Sequence, residues 1–328
     1  MHFPSRRHAT LTTLAALLLT AAASTALAQA GYPDKPLKMV IAFPPGGPTD
    51  LVARILAQKL SEQMGQPVVV DNKPGANGNI AAEYVAKAPA DGYTVFYNTS
   101  AIALSPALYK KLSYDVRTEF SPVALTAVIP LVLAVHPSLP VNTVQEFIAY
   151  AKANPDKLTY GSAGNGNVTH LGAFMVLQNQ GLSAVHAPYK GSAPALTDLV
   201  GGQTQFTTDT VNSALPFIRD KRLKALAVTS LKRSAVLPDV PTLNETVMPG
   251  FEVGAWQGML VPSKTAPDIV KRLNTEVLKA LAAPDIRAKL AVQGAEPLGS
   301  TPAEYGSYIK SEIERWTRVV KLTGASLE

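Results

Sequence analysis

Two glycine-rich stretches hold the residues of this sequence best suited to gripping a small charged molecule. The first runs Phe43-Pro44-Pro45-Gly46-Gly47-Pro48-Thr49. The second runs Gly161-Ser162-Ala163-Gly164-Asn165-Gly166-Asn167 and continues to Thr169 and His170. Each follows an apolar run and opens a helical pattern. A strand that feeds a helix through glycines aims several backbone N–H groups at one spot, and the helix dipole adds positive potential there. Such a place can hold an anion without any cationic side chain. Gly46 and Gly47, and likewise Gly164 and Gly166, let backbone approach a ligand closely. Ser162, Asn167 and Thr169 add side-chain donors. The plainer alternative is that these glycines only make tight turns into helices.

Three further places qualify. Asp209 follows the strand-like Gln205–Thr208, where open α/β sheets present ligand-contacting residues. It serves either as a helix cap or as an acid meeting an ammonium, a protonated acid or a water. Asn98, Thr99 and Ser100, after the strand-like Tyr93–Tyr97, offer neutral donors at a similar place. His170, early in its helix, is either a hydrogen-bonding strut or a ligand contact, whereas His136 and His186 fall in strand-like segments and read as structural.

Enzymatic and nucleotide readings fare worse. No G-x-x-x-x-G-K-[ST] occurs, and Gly164-x-Gly166 continues to Thr169 where a dinucleotide fingerprint needs glycine or alanine. A Ser162–His170–Asp209 triad can be written down, but Tyr160 stands where a nucleophile elbow needs glycine. The chain has no cysteine, which removes disulfides, thiolate metal sites and a cysteine nucleophile. Three scattered histidines beyond the leader make a transition-metal site improbable. No cofactor is expected.

These loops must be positioned by the rest of the chain. Its 328 residues are 47% hydrophobic and 16% charged, enough for two domains with substantial cores. Residues 1–28 read as a cleavable export signal: Arg6 and Arg7, an apolar stretch Leu11–Leu19, then Ala26-Leu27-Ala28 as an A-x-A site. Cleavage would lower the formal charge from +6 to +4, since both arginines and no acid leave. The remaining basic residues are dispersed, which argues against nucleic acid as partner. Short apolar runs alternate with helical stripes from Leu37 onward and again from about Thr143, so a largely parallel α/β sheet is predicted. A long terminal helix is marked by Tyr305, Tyr308, Ile309, Ile313, Trp316 and Val320. Two such units, their loops facing across a cleft, make a two-lobed molecule.

With these loops in view the sequence resembles the solute receptors of the tripartite tricarboxylate transporter system, the Bug-type receptors. The resemblance rests on Phe43-Pro44-Pro45-Gly46-Gly47-x-x-Asp50, Asn72-Lys73-Pro74-Gly75-Ala76-x-Gly78, Asp91-Gly92-Tyr93-Thr94, Tyr160-Gly161-Ser162-Ala163-Gly164-x-Gly166 with His170-Leu171, Pro188-Tyr189-Lys190-Gly191 and Leu237-Pro238-Asp239-Val240-Pro241-Thr242. It implies a type II-like periplasmic binding protein fold, two α/β lobes joined by crossing strands around a central ligand cleft. The lobes would comprise residues 31–128 with 251–328, and residues 129–250. It implies a monomer that binds a dicarboxylate, amino acid or aromatic acid for a permease of one large and one small subunit; a membrane sensor is the alternative recipient. The implied ligand-facing set is Phe43, Gly46, Gly47, Thr49, Asn98, Thr99, Ser100, Ser162, Gly166, Asn167, Thr169, His170 and Asp209. Three positions depart from the family's usual residues. Lys73 replaces arginine, Asn167-Val168-Thr169 a serine-containing stretch, and Thr207-Thr208 bulkier apolar residues, which implies a more polar pocket floor.

Overall fold

The computed structural model describes residues 31–327; the predicted leader lies outside them. The chain opens with β1 (Leu37–Ile41), α1 (Pro48–Met64), β2 (Val68–Asn72), α2 (Asn79–Ala86), β3 (Thr94–Thr99) and α3 (Ala101–Leu108). Proline at the first position suits the start of α1, since its missing N–H would have no helical partner anyway. Val52, Leu56 and Leu60 form its buried stripe. Gly65 stops the helix in the left-handed conformation that glycine adopts without cost. Thr49 lies inside the first turn; the cap position is Gly47.

A single long strand follows, β4 (Phe120–Val135). The second unit then contains α4 (Val144–Ala153), β5 (Thr159–Ser162), α5 (Val168–Gln180), β6 (Val185–Pro188), α6 (Ser192–Val200), β7 (Phe206–Thr210), α7 (Val211–Arg219) and β8 (Lys224–Val228). The chain ends with α8 (Leu243–Thr246), β9 (Gly254–Pro262), α9 (Pro267–Ala282), α10 (Pro284–Val292), β10 (Glu296–Pro297) and α11 (Pro302–Thr323).

Strands β2, β1 and β3 pair in parallel, as do β6, β5 and β7. The predicted parallel grammar therefore holds within each unit. Between the units lie β9 and β4, both antiparallel to their neighbours, so the whole sheet is mixed. At about 3.3 Å per residue β4 is roughly 50 Å long, and it serves two sheets in turn. Phe120–Pro130 pairs with Pro262–Gly254 of β9. From Leu131 to Val135 the partners become Thr210–Phe206 of β7 on one side and β8 on the other. Pro130, which has no N–H to give a ladder, stands at the exchange. The return crossing lies alongside: the Val253 N–H donates to Thr229 O in the second unit, and Gly254 begins β9 in the first.

Apolar packing follows this division and then bridges it. One cluster buries Met39, Ile41, Leu56 and Leu60 with Leu273 and Val277. Another runs continuously from Val40, Phe96 and Leu108 to Leu133, Tyr160 and Leu171, and includes Trp256 and Trp316. Helix α11 is tied to β9 by a buried acid: Glu312 Oε2 accepts from the Trp256 indole at 2.9 Å and the Trp316 indole at 2.8 Å. Removing it orphans two buried N–H donors, each costing about 1–3 kcal/mol. Glu312→Ala is therefore expected to lose about 2–4 kcal/mol of stability in urea unfolding. A loss below about 0.5 kcal/mol, the scale of an ordinary surface change, would show that the joint does not matter.

Candidate functional site

Each predicted loop sits at the C-terminal end of a parallel strand. Ile41 of β1 is paired with Tyr97 of β3, so the Phe43–Thr49 loop and the Asn98–Ser100 segment share one sheet edge. Gly161 of β5 is paired with Thr207 of β7, so the Ser162–Asn167 loop and Asp209 share another. Helix α3 leads from the first edge to the second loop. A Cβ built on Gly166 would lie 2.7 Å from both δ carbons of Leu108, at the far end of α3, with the Gly166 φ at +69°. Eight helical residues cover about 12 Å. The two edges therefore lie on one side of the molecule.

The first loop is braced from within. Asp50, buried at 2% exposure, accepts the Gly46 N–H at 2.9 Å, the Asn72 amide at 3.0 Å and the Arg54 Nε–H at 2.8 Å. Asn72 Nδ2 also donates to Phe43 O. Burial alone would raise the Asp50 pKa; the bonds from Arg54, Gly46 and Asn72 outweigh it and hold the carboxyl below its ordinary value. The expected ligand donor Gly46 N–H is thus already spent, and Phe43 O is an anchor point for the loop. The Gly47 N–H remains, its contact with Pro44 O stretched to 3.5 Å. So does the Thr49 hydroxyl, with no partner among the described residues, and the first-turn amides of α1 have no place in the helix ladder.

Along the same edge, Asn98, Thr99 and Ser100 each also serve the fold, while Asn98 Nδ2 is a buried donor with no partner among the described residues. Asn98 Oδ1 accepts from the Tyr305 hydroxyl at 2.9 Å. Thr99 Oγ1 accepts the Ala101 N–H, and the Ser100 N–H donates to Trp256 O. All three are buried, because helix α3 and the terminal helix cover this strand end.

The second loop is also largely satisfied by its own side chains. Thr169 Oγ1 takes the Ala163 N–H, Asn167 Oδ1 takes the Thr169 N–H, and His170 Nδ1 takes the Gly166 N–H at 3.1 Å. The last bond requires a neutral imidazole with its proton on Nε2. His170 is therefore a strut, one of the two readings its position allowed. Its ring stacks on His186, centroids 3.8 Å apart and 1° from parallel, and His186 Nε2 lies 2.6 Å from Ser162 Oγ. Burial lowers both histidines to about 4; for His170 the neighbouring His186 adds to the effect.

The written triad is not assembled. Ser162 pairs with His186 rather than His170, and its residue is fully buried. Asp209 is occupied elsewhere: its Oδ1 accepts from Ser192 Oγ at 2.7 Å and from the Thr210 N–H at 2.7 Å. Asp209 does not cap α7, whose cap position is Thr210. The predicted polar pocket floor is corrected as well, because the Thr207 and Thr208 hydroxyls donate to Gly161 O and Thr169 O and stitch β7 to the loop.

Sequence reasoning gave no separate role to Asp50, Asn72 or Ser192, and read His186 only as structural. The first was legible in hindsight, as an acid in a helix's first turn with Arg54 four residues on. The His186–Ser162 pairing leaves no local trace, since 24 residues and a helix separate the partners.

Comparison with known proteins fits this geometry. Residues 52–325 match the family model described as "Tripartite tricarboxylate transporter family receptor". The fold is similar to that of Rpa4515 of R. palustris, solved with adipate, at 40% identity and TM-score 0.83, covering 90% of this chain and all of that one. It is similar to the periplasmic binding protein BugD, at 36% identity and TM-score 0.80, with 90% and 100% coverage. MatC from Rhodopseudomonas palustris, solved with malate, follows at 35% identity and TM-score 0.76, with 88% and 100% coverage.

The histidine pair predicts a pH profile of stability. A histidine with a lowered native pKa binds its proton first in the unfolded chain, so stability falls as pH drops from about 6.5 to about 4. Nearly buried His170 contributes about 1.4 kcal/mol per pH unit across that window; half-exposed His186 contributes less. Asp209, raised to about 6, works in the opposite direction below that pH. Urea unfolding between pH 7 and 4.5 should show a fall in stability that is shallower in His170→Asn. Equal slopes in the two proteins would contradict the assignment.

Proposed function

The chain belongs to the tripartite tricarboxylate transporter receptor family, and from that premise we propose that it is exported, captures a small organic carboxylate between its two sheet units and delivers it to a membrane permease of large and small subunits. One lobe would be residues 31–128 with 251–328 and the other residues 129–250, with the hinge a few residues past those bounds, where pairing changes at Pro130–Leu131 and Val253–Gly254. The observation that carries this reading is that two strand-loop-helix edges, one from each unit, meet at the Gly166–Leu108 contact. Adipate and malate in two similar proteins point to the same ligand class.

The ligand carboxylate would accept bonds from the Gly47 N–H, the Thr49 hydroxyl and the first-turn amides of α1 and α5. Hydrogen bonds to a charged group contribute roughly 1.5–3 kcal/mol each. Three or four, less the cost of ordering and closure, reach the roughly −8 kcal/mol of micromolar binding. The bonds inside each loop belong to this design, because pre-set donors lose little entropy on capture. The serine–histidine contact of the second loop, Ser162 with His186, joins a fully buried serine, and a reversible receptor needs no nucleophile.

Calorimetry and thermal shift against a panel of mono-, di- and aromatic carboxylates test the reading. At least one acid should bind at micromolar Kd or tighter. At about 100 times Kd it should add about 2.7 kcal/mol of stability. Thr49→Val should weaken that acid about tenfold, one lost hydrogen bond's worth. No heat and no shift from any acid would contradict the proposal, as would ester turnover that disappears in Ser162→Ala.

A further inference from the structure

Helix α11 ends in a turn that brings the chain back to the meeting point of the two units. Gly324 closes the helix in the left-handed conformation, φ 66°, and Thr323 Oγ1 accepts the Ala325 N–H at 3.0 Å. The next residues lie between α3 and the second loop. The Leu327 N–H donates to Leu108 O at 2.8 Å, filling one of the carbonyls that the end of α3 leaves without a helical partner. A single parallel bridge joins Leu327 to Tyr109. On the other side, Ser326 O accepts from Asn165 Nδ2 at 3.3 Å. A Cβ built on Gly166 would stand 3.2 Å from Leu327 Cδ1, beside its contact with Leu108. Ala325 and Leu327 also pack against the cluster that bridges the units.

These contacts divide between the proposed lobes. Leu108 and Tyr109 belong, with the segment itself, to the first lobe. Asn165 and Gly166 belong to the second loop, in the other lobe. A backbone bond thus anchors the segment on α3, while one side-chain bond and one apolar contact tie it to a loop of the crevice. Helix α11 makes the same bridge on a larger scale, packing along α3 and touching α5. Neither tie lies on the two crossing strands, so lobes that rotate about those strands carry Asn165 away from Ser326. The Asn165 bond is long and near the surface, weak enough to break and remake with each movement.

Resting on the two-lobe receptor reading above, we propose that Ala325–Leu327 form a latch: held on α3, they seat the second loop through Asn165 and Gly166 and keep the lobes closed in part of the ligand-free population. Asn165 is then a positioning residue, acting on the ligand through the loop it holds. A ligand that binds the closed form gains apparent affinity in proportion to the fraction closed. Losing the latch therefore weakens every acid by one common factor, through faster dissociation, whatever the acid's length.

The width of the crevice tests this. The chain has no cysteine, so Leu51→Cys and Lys190→Cys accept spin labels without competing sites. Both residues are exposed, one in the first turn of α1 and the other beside the second loop. Pulsed electron resonance on the ligand-free protein should show two distances. The closed-to-open ratio should fall about two- to fivefold in Asn165→Ala, one surface hydrogen bond's worth, and about tenfold in a chain stopped after Gly324. Adipate, malate and any other acid of the panel that binds the unlabelled protein should lose affinity by those same factors. Asn165→Ala changes a half-exposed side chain and carries the test if the shortened chain does not fold. Equal distance populations in wild type and Asn165→Ala overturn the proposal. So does a loss of stability in urea with those populations unchanged, which would make the segment only a cap for α3. Acids that bind both variants as tightly as wild type overturn the latch and leave the receptor reading standing. If no acid binds and none changes the distances, the receptor reading fails and the latch with it.

Discussion

Strand β4 has to satisfy its hydrogen bonds in two sheets, and the functional geometry hangs from that requirement. Its first eleven residues pair with β9 and its last five with β7 and β8. A strand shared in this way fixes where one unit's parallel edge ends and the other's begins. The exchange falls at a proline, where one ladder bond is missing in any case. Among the described residues, Val253–Gly254 returns beside it, so two adjacent extended segments cross between the proposed lobes. Such a pair can bend without breaking either sheet, the arrangement a hinge needs.

From that constraint the rest follows in layers. The C-terminal ends of β1 and β3 face the same side as those of β5 and β7, and each end is followed by a loop that must stay still to be useful. Stillness comes from side chains that consume the loop's own amides: Asp50 for the first loop; Thr169, Asn167 and His170 for the second. A loop whose amides all pointed outward would carry unsatisfied donors whenever the crevice was dry. The outcome is a pair of loops with few free amides, held rigidly by their own side chains.

Much of this was legible in the sequence. The Pro-Pro-Gly-Gly and Gly-Ser-Ala-Gly loops, the helical pattern starting near Thr143 and the face of the terminal helix all depend on neighbours within a few residues, where turn chemistry and periodicity operate. Strand β4 was not legible as a crossing strand. Phe120–Val135 is a long apolar run whose partners lie from about 75 to 140 residues further along, and composition cannot say where a ladder changes hands. The same limit explains the donors. Gly46 was placed among the ligand donors, but its N–H is taken by Asp50, and only tertiary geometry decides whether an amide turns inward or outward. His186 read as structural, and it is, yet its partner Ser162 could be found only once β5 and β6 were paired.

The most direct measurement of the account is a crystal structure of the purified protein with a bound acid. One carboxylate is predicted to lie within hydrogen-bond distance of Gly47 and Thr49, between the first loop and the Ser162–Asn167 loop. An acid seated outside this crevice would contradict the account.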